Sequence, residues 1–181
     1  MIYIVQFLLS WRNVLGSSHY IILDSKPVTI WHGFVRKSYY TWNKIFRVSF
    51  SIIVKKWSKN VWTNVIHFTT GGDYGVYGYR VPLVKINKDS QSFYICSAVS
   101  GNPDFCKTFK ILLGHQYHIT IQQSKQNGKY WYEIWINGHL KLKVQNTKPR
   151  SFSNVKEYIS DPWYPHFSSD LGTVSNLEIE Q

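Results

Sequence analysis

Acidic residues are few in this sequence. Its 181 residues include 10 Asp and Glu against 21 Lys and Arg. Glycoside hydrolases generally need two carboxylates placed together. Here Glu133 stands alone between two tryptophans, and Glu178 and Glu180 lie at the C-terminal end. The sequence also contains no phosphate-binding loop and no nucleophile elbow. We therefore predict that the protein is not an enzyme.

Cysteine is scarce as well, since the sequence contains two, Cys96 and Cys106. Two cysteines without nearby paired histidines cannot complete the four ligands of a zinc site. If Tyr94–Val99 and Phe105–Leu112 pair as a hairpin, the two sulfur atoms come within bridging distance. In an exported protein we predict a disulfide, and two buried free thiols in a reducing compartment are the alternative.

Long apolar runs are missing except near the N-terminus. Ile2–Trp11 has the length of a signal-peptide core, and Leu15–Ser18 offers small residues for cleavage, although no basic segment comes first. We predict that residues 1–18 are a signal or an N-terminal strand, and that residues 19–181 form a single β-sandwich domain. Because of this signal-like segment we expect an extracellular protein, and no other stretch reaches transmembrane length.

Positive charge is plentiful, and the formal net charge is +11. Strongly basic proteins attract polyanions such as acidic or sulfated polysaccharides, and solubility alone is the other explanation. No run of five like charges forms a basic tail, so we predict no specific nucleic-acid partner. Short clusters lie at Lys55, Lys56 and Lys59 and at Lys141, Lys143, Lys148, Arg150 and Lys156.

Aromatic residues make up 17% of the chain, while alanine and methionine are scarce, a composition that favours strands over helices. In Ile45–Val54 alternate residues from Phe46 to Val54 are apolar, which predicts a strand with one buried face. Trp62–Thr69 predicts a second such strand, with Trp62, Asn64, Ile66 and Phe68 on one face. Further strands are predicted at His19–Leu23, Val81–Ile86, Ser92–Val99 and Val174–Ile179.

The best-defined pattern predicts a three-stranded meander. Tyr117–Gln122 alternates strictly, Lys125–Gly128 reads as a turn, and Tyr130–Ile136 as the next strand. Asn137-Gly138 is a strong hairpin signal, because both central positions of a type I′ turn need positive φ. In Leu140–Val144 the apolar residues then alternate with two lysines. Many short strands with glycine turns indicate an all-β sandwich or barrel.

The meander also resembles the concanavalin-like and laminin-G-like jelly-roll domains. The resemblance lies in Tyr117-His118-Ile119, in Tyr132–Gly138 and in the closing segment Leu171–Ile179. Together with Phe152–Trp163 and Tyr77–Pro82, these segments look like a domain of secreted and matrix proteins of marine invertebrates. The resemblance covers about residues 45–181. It implies a two-sheet antiparallel jelly-roll sandwich.

In function, the resemblance implies a lectin, an adhesion module or a scaffold. Calcium sites in such domains use carboxylates and carbonyls of rim loops, and Asp73 and Asp161 are the candidate ligands, with Asp89 as a further one. Tyr79 stands where the resemblance implies an acidic residue. The sequence itself shows no calcium-binding spacing.

One face of the meander combines aromatic and polar side chains. Trp131, Glu133 and Trp135 alternate along one strand, and His118 is expected on the same face of its neighbour. Sugars bind such surfaces, because their apolar faces stack on indole rings while their hydroxyls form hydrogen bonds. A central strand covered on both sides shows the same pattern, so a core position for both tryptophans is the alternative.

Two loops offer a second candidate site. Tyr77 and Arg80 lie in one, and Asp161, Trp163 and Tyr164 lie in the other, which two prolines stiffen. The alternative is that Trp163 closes the end of the sandwich. We predict a secreted carbohydrate- or matrix-binding module. A protein adhesion module and a polyanion binder are the alternatives.

Overall fold

A computed structural model describes residues 20–23 and 32–181 of the chain. The predicted signal or N-terminal strand in residues 1–18 lies outside the described residues. Among the described residues, no helix is long and apolar enough to cross a membrane. The strands are β1 (Tyr20–Leu23), β2 (Val35–Trp42), β3 (Phe46–Val54), β4 (Trp62–Thr69), β5 (Leu83–Asn87), β6 (Ser92–Val99), β7 (Asn102–Lys110), β8 (Gln116–Gln126), β9 (Lys129–Ile136), β10 (His139–Asn146), β11 (Phe152–Ile159) and β12 (Gly172–Glu180).

The strands form two six-stranded sheets. The meander sheet has the order β1-β12-β3-β8-β9-β10, and the disulfide sheet has the order β2-β11-β4-β5-β6-β7. Neighbouring strands pair antiparallel in both sheets. The predicted two-sheet jelly-roll sandwich is therefore confirmed.

The core lies between the two sheets. Phe50 and Ile134 of the meander sheet and Phe68 of the disulfide sheet are fully buried there. The sheets also touch directly where the Phe105 and Tyr132 rings meet edge to face, with centroids 6.2 Å apart. Each large apolar side chain buried in this way contributes about 1.5–3 kcal/mol, so the inner face of every central strand is firmly specified.

The predicted meander is confirmed, and both of its turns are two-residue loops. Asn137 and Gly138 have φ of 52° and 76°, as a type I′ turn requires. Asn127 and Gly128 have φ of 50° and 77°, so β8 continues to Gln126 and the turn is shorter than the sequence suggests. These tight turns fix the register of β8 against β9 and the start of the β9–β10 pairing, which a bulge between Leu140 and Leu142 then shifts by one residue.

The predicted disulfide joins Cys96 and Cys106. The two residues lie directly opposite each other on β6 and β7, with Cα atoms 4.1 Å apart. The Tyr94–Val99 and Phe105–Leu112 segments therefore pair as expected, although β7 already begins at Asn102.

The strands β2 and β11 were not predicted from the sequence. β2 has mostly half-buried or exposed side chains, because it lies at the edge of the described sheet. β11 contains a bulge between Glu157 and Tyr158, which interrupts its alternation. By contrast, β3, β4 and β6 match the predicted segments to within one residue.

The predicted single face of β4 is wrong. A bulge between Asn64 and Ile66 shifts the alternation by one residue. Ile66 and Phe68 point into the core, whereas Trp62 packs outside it against Tyr94 of β6, with ring centroids 5.1 Å apart. The side chains of Trp62 and Asn64 therefore lie on the outer face of the disulfide sheet.

We predict that Gly172→Ala destabilises the protein by about 1–3 kcal/mol. Gly172 begins β12, where an added Cβ would overlap the Ile53 carbonyl oxygen and the Phe167 ring. Urea unfolding would measure the loss. Thr173→Ala, at the next and half-buried position, should cost less than about 1 kcal/mol. Equal effects of the two substitutions would contradict the close approach.

Candidate functional site

The predicted aromatic face is the outer face of the meander sheet. Tyr132 and Ile134 of β9 belong to the core, so the alternate residues Trp131, Glu133 and Trp135 point away from it. Both indoles are half-buried and neither belongs to the core cluster. The alternative of a core position for these tryptophans is thus excluded.

Strand register extends this face into a row of polar side chains. Glu133 of β9 is paired with Gln122 of β8 and with Lys143 of β10. Gln122 is paired in turn with Arg47 of β3, which faces Glu180 of β12. The Arg47 guanidinium binds the Glu180 carboxylate at 3.1 Å. The row therefore crosses five strands, and each of its two carboxylates lies beside a basic group.

Glu133 is the centre of this row, and it is only 2% exposed. Its Oε2 accepts hydrogen bonds from Gln122 Nε2 at 2.5 Å and from the Trp135 indole at 3.4 Å. Its Oε1 lies 2.7 Å from Lys143 Nζ. Both carboxylate oxygens are thus occupied, and Glu133 fixes the positions of an indole, an amide and an ammonium group.

His118 lies at the other side of Trp135, on β8. It is exposed, and its Nδ1 is 3.3 Å from the Ser51 hydroxyl. Partial burial lowers the pKa of His118, and the nearby Arg47 charge lowers it further. Thr120 is the next outward-facing residue of β8 and lies directly opposite Trp135. It is 7% exposed. The predicted residues His118, Trp131, Glu133 and Trp135 therefore share one surface.

A second cluster covers the outer face of the disulfide sheet, where the two predicted loops meet. The Tyr164 hydroxyl donates to Asp73 Oδ2 at 2.7 Å. Arg80 Nε donates to the Asp73 carbonyl at 2.7 Å, and Arg80 NH1 lies 3.0 Å from Asp104. Trp163 stacks edge-on against His67, with ring centroids 5.5 Å apart. Arg80, Trp163 and Tyr164 are thus brought together as predicted.

Asp161 anchors this second cluster from beneath. It is fully buried, and its Oδ2 lies 2.7 Å from His67 Nδ1. Its Oδ1 accepts the backbone N–H groups of Trp163 and Tyr164. The His67 Nε2 is 2.6 Å from the Tyr79 carbonyl. Asp161 therefore shapes its loop and is closed off from solvent.

Tyr77 does not join the second cluster. Its hydroxyl donates to the Lys148 carbonyl at 2.8 Å, and its ring packs against Phe152 and under the Arg150 guanidinium at 4.8 Å. The segment from Tyr77 to Arg80 thus contributes to two separate surfaces.

The predicted calcium ligands Asp73 and Asp161 lie in the second cluster with His67, each offering an atom within 4.8 Å of the others. Those atoms already contact Tyr164 and one another, and the Arg80 guanidinium is 3.5 Å from Asp73. Calcium takes six to eight oxygen ligands. A set with an imidazole and a guanidinium beside it does not fit calcium, and Asp89 lies exposed in the β5–β6 turn.

Sequence reasoning missed His67 and Asp104, and it also missed Lys85, which lies under the aromatic side chains of this cluster. It is only 4% exposed, and its Nζ lies 3.9 Å from the Tyr164 ring centroid, 4.7 Å from that of Trp62 and 5.5 Å from that of Tyr94. Burial lowers the pKa of Lys85 to about 8, and the Arg80 charge contributes. The available signal was a single lysine in an otherwise apolar strand.

Comparisons with known proteins define the fold only. No family model matches the chain, and a search of curated proteins found no match. Among solved structures, a sialidase from Trypanosoma rangeli superposes with a TM-score of 0.52 at 13% identity, over 75% of this chain and 20% of the sialidase. The chain thus spans about a fifth of that protein.

Two other structures cover more of the chain. A heptameric SAP-like pentraxin from Limulus polyphemus has a TM-score of 0.52 at 11% identity, over 90% of this chain and 75% of the pentraxin. Domain 4 of AbnA, an extracellular arabinanase from Geobacillus stearothermophilus solved with arabinotriose, has a TM-score of 0.50 at 15% identity, over 92% of this chain and 76% of that chain. At such identities the likeness shows a shared sandwich fold.

We predict that the stability difference between the wild type and Lys85→Met changes with pH. Because the pKa of Lys85 is about 8 in the folded protein and an unburied lysine has a pKa of 10.5, the unfolded chain binds more protons between these pH values. The wild type should therefore gain about 1–3 kcal/mol relative to the variant as pH rises through this window. Urea unfolding at pH 7 and pH 10 measures it. A difference that does not change with pH would mean that Lys85 titrates normally.

Proposed function

We propose that the protein is an extracellular, non-catalytic module that binds an oligosaccharide on the outer face of the meander sheet. The observation that carries the proposal is the pair of half-buried indoles, Trp131 and Trp135, on one outer face with the hydrogen-bonded Glu133 between them. A single sheet face with aromatic platforms and fixed polar groups has the chemistry of a sugar site.

The spacing of the indoles suits a chain of sugars rather than one ring. Trp131 and Trp135 are four residues apart on one strand, so their Cα atoms lie about 13 Å apart. Each indole can stack on the apolar face of a different sugar residue. The partly exposed ammonium group of Lys143 lies between them in the register, where sugar hydroxyls would bind, and the buried Gln122 amide holds Glu133 from the other side.

Glu133 acts in this proposal as a positioning residue. Both of its oxygens are engaged by Gln122, Lys143 and Trp135, and its side chain is nearly inaccessible. The next carboxylate of the row, Glu180, is paired with Arg47. Glycoside hydrolysis commonly needs one acid and one base or nucleophile facing the same bond, and this arrangement favours binding over hydrolysis.

The comparisons supply an analogy for the ligand class. The AbnA domain shares the sandwich fold and was solved with arabinotriose bound, which is our reason for preferring a glycan. The Cys96–Cys106 disulfide favours an oxidising compartment, as a secreted module would occupy.

A protein-binding adhesion module is the second candidate. It is favoured by β2, which lies at the edge of the described disulfide sheet and carries Tyr40, a residue that is 85% exposed. Unpaired strand edges bind partner strands through backbone hydrogen bonds. A stable oligomer by solution mass, lost on Tyr40→Glu, would support this candidate over the glycan site.

We predict that Trp135→Ala weakens binding to the best oligosaccharide on a glycan array by about 30-fold or more, as loss of a central aromatic anchor does. Isothermal titration would measure the dissociation constants. The protein should bind equally well with and without calcium.

Trp163→Ala is the matched control, because Trp163 is also a partly exposed indole (40%) but lies on the disulfide sheet side. It should leave binding unchanged. Loss of binding in Trp163→Ala alone would move the site to the second cluster. No glycan bound above background by folded protein would refute the proposed function.

A further inference from the structure

A pocket opens at the end of the proposed glycan face, beside the turn between β8 and β9. It has a volume of about 270 Å³. The turn itself supplies Asn127, and the strand ends supply Gln126 and Lys129. Trp131 forms one wall and Lys143 of β10 another. The pocket therefore combines two ammonium groups, two amides and one indole ring.

The lining is positively charged after its internal contacts are counted. Lys143 Nζ lies between Glu133 Oε1 at 2.7 Å and Gln126 Oε1 at 3.2 Å, so its charge is offset by Glu133. Lys129 is exposed and, among the described residues, has no ion-pair partner. One uncompensated positive charge therefore remains at the pocket.

The pocket continues the line of the glycan face. Trp135, Glu133, Trp131 and Lys129 are alternate residues of β9, so they follow one another on the same side of the strand. Lys143 contacts both regions, because its Nζ is also 5.1 Å from the Trp131 ring centroid. A sugar chain that stacks on both indoles and runs along β9 reaches the pocket with its next residue.

We propose that this pocket binds an anionic substituent of the oligosaccharide, either a carboxylate or a sulfate ester. The proposal rests on the proposed function for the direction in which the chain runs. The Lys129 ammonium group supplies the charge, and the amides of Gln126 and Asn127 and the Lys143 ammonium supply further N–H donors. A carboxylate or sulfate offers several acceptor oxygens to such donors. A hydroxyl at the same place gains no charge–charge attraction.

Lys125 provides a matched control for Lys129. Both are exposed lysines beside the same hairpin turn. Lys125 is paired with Tyr130, and its Nζ lies 5.6 Å above the Tyr130 ring. Tyr130 precedes Trp131 in β9, so its side chain points to the opposite face of the sheet, and it does not line the pocket. Lys125→Gln therefore removes the same charge at a similar position in the chain and leaves the pocket lining intact.

The experiment compares two matched pairs of probes by isothermal titration. One pair is dextran sulfate oligosaccharides and unsubstituted dextran oligosaccharides. The other is oligogalacturonate and its methyl ester. We expect tighter binding of the charged member in at least one pair. The sulfate pair and the uronate pair then show which anion the pocket accepts.

Lys129→Gln should weaken binding of that charged probe by about two- to fivefold, the effect of one exposed charge pair. It should leave its neutral counterpart unchanged and reduce the dependence of affinity on salt. Lys125→Gln should leave both probes unchanged. Unaltered thermal unfolding would show that both variants are folded.

Three results would overturn the inference. They are equal affinity for charged and neutral members of both pairs, equal loss in Lys125→Gln and Lys129→Gln, and no binding of either charged probe by the wild type.

Trp135→Ala separates this inference from the proposed function. If Trp135→Ala abolishes binding of all probes while Lys129→Gln alters none, the glycan face stands and the pocket inference fails. If Lys129→Gln weakens the charged probe while Trp135→Ala has no effect, the pocket stands and the glycan face fails.

Discussion

The burial of Tyr132 and Ile134 in the core is the constraint on which the proposed site depends. Because side chains alternate along a strand, these two residues force Trp131, Glu133 and Trp135 onto the outer face. A slip of one residue would place a carboxylate in the core and an isoleucine in solvent. The two tight turns at either end of β9 oppose this slip, because they fix its register against β8 and the start of its pairing with β10. The register with β8 places Gln122 beside Glu133. A bulge in β10 between Leu140 and Leu142 places Lys143 there instead of Leu142, so the polar row depends on the core packing and on that bulge.

Local signals account for most of the fold that could be predicted. Alternation identified β3 and β8, and Asn137-Gly138 identified a hairpin that the structure confirms. The failures have physical causes. Bulges in β4 and β11 break the two-residue period, and the exposed edge strand β2 never had a clear apolar face. The outward position of Trp62 follows from one such bulge. Because Trp62 faces outward, its ring contacts Lys85 and forms part of the aromatic cluster around it.

The location of the candidate site was predictable from the sequence, but the contacts among its side chains were not. Alternation placed Trp131, Trp135 and Glu133 together, but it could not show that both oxygens of the Glu133 carboxylate are engaged by its neighbours. That property depends on partners from β8 and β10. Likewise, Arg80 and Tyr164 meet through Asp73, whereas Tyr77 turns toward Lys148. Contacts between distant loops have no local sequence signal. Only the structure could therefore show that Arg80 and Tyr164 share one surface and that Tyr77 lies on another.

The central claim is that an oligosaccharide lies on the outer face of the meander sheet, and the indole N–H resonances of the tryptophans test it most directly. Each Trp side chain gives one such signal in a ¹H–¹⁵N correlation spectrum, and substitution of single tryptophans assigns the signals. During titration with the best-binding oligosaccharide, the signals of Trp131 and Trp135 should shift together and saturate at one dissociation constant. The signals of Trp62 and Trp163, which lie outside the other sheet, should not move. Shifts confined to Trp62 and Trp163, with Trp131 and Trp135 unchanged, would contradict the claim.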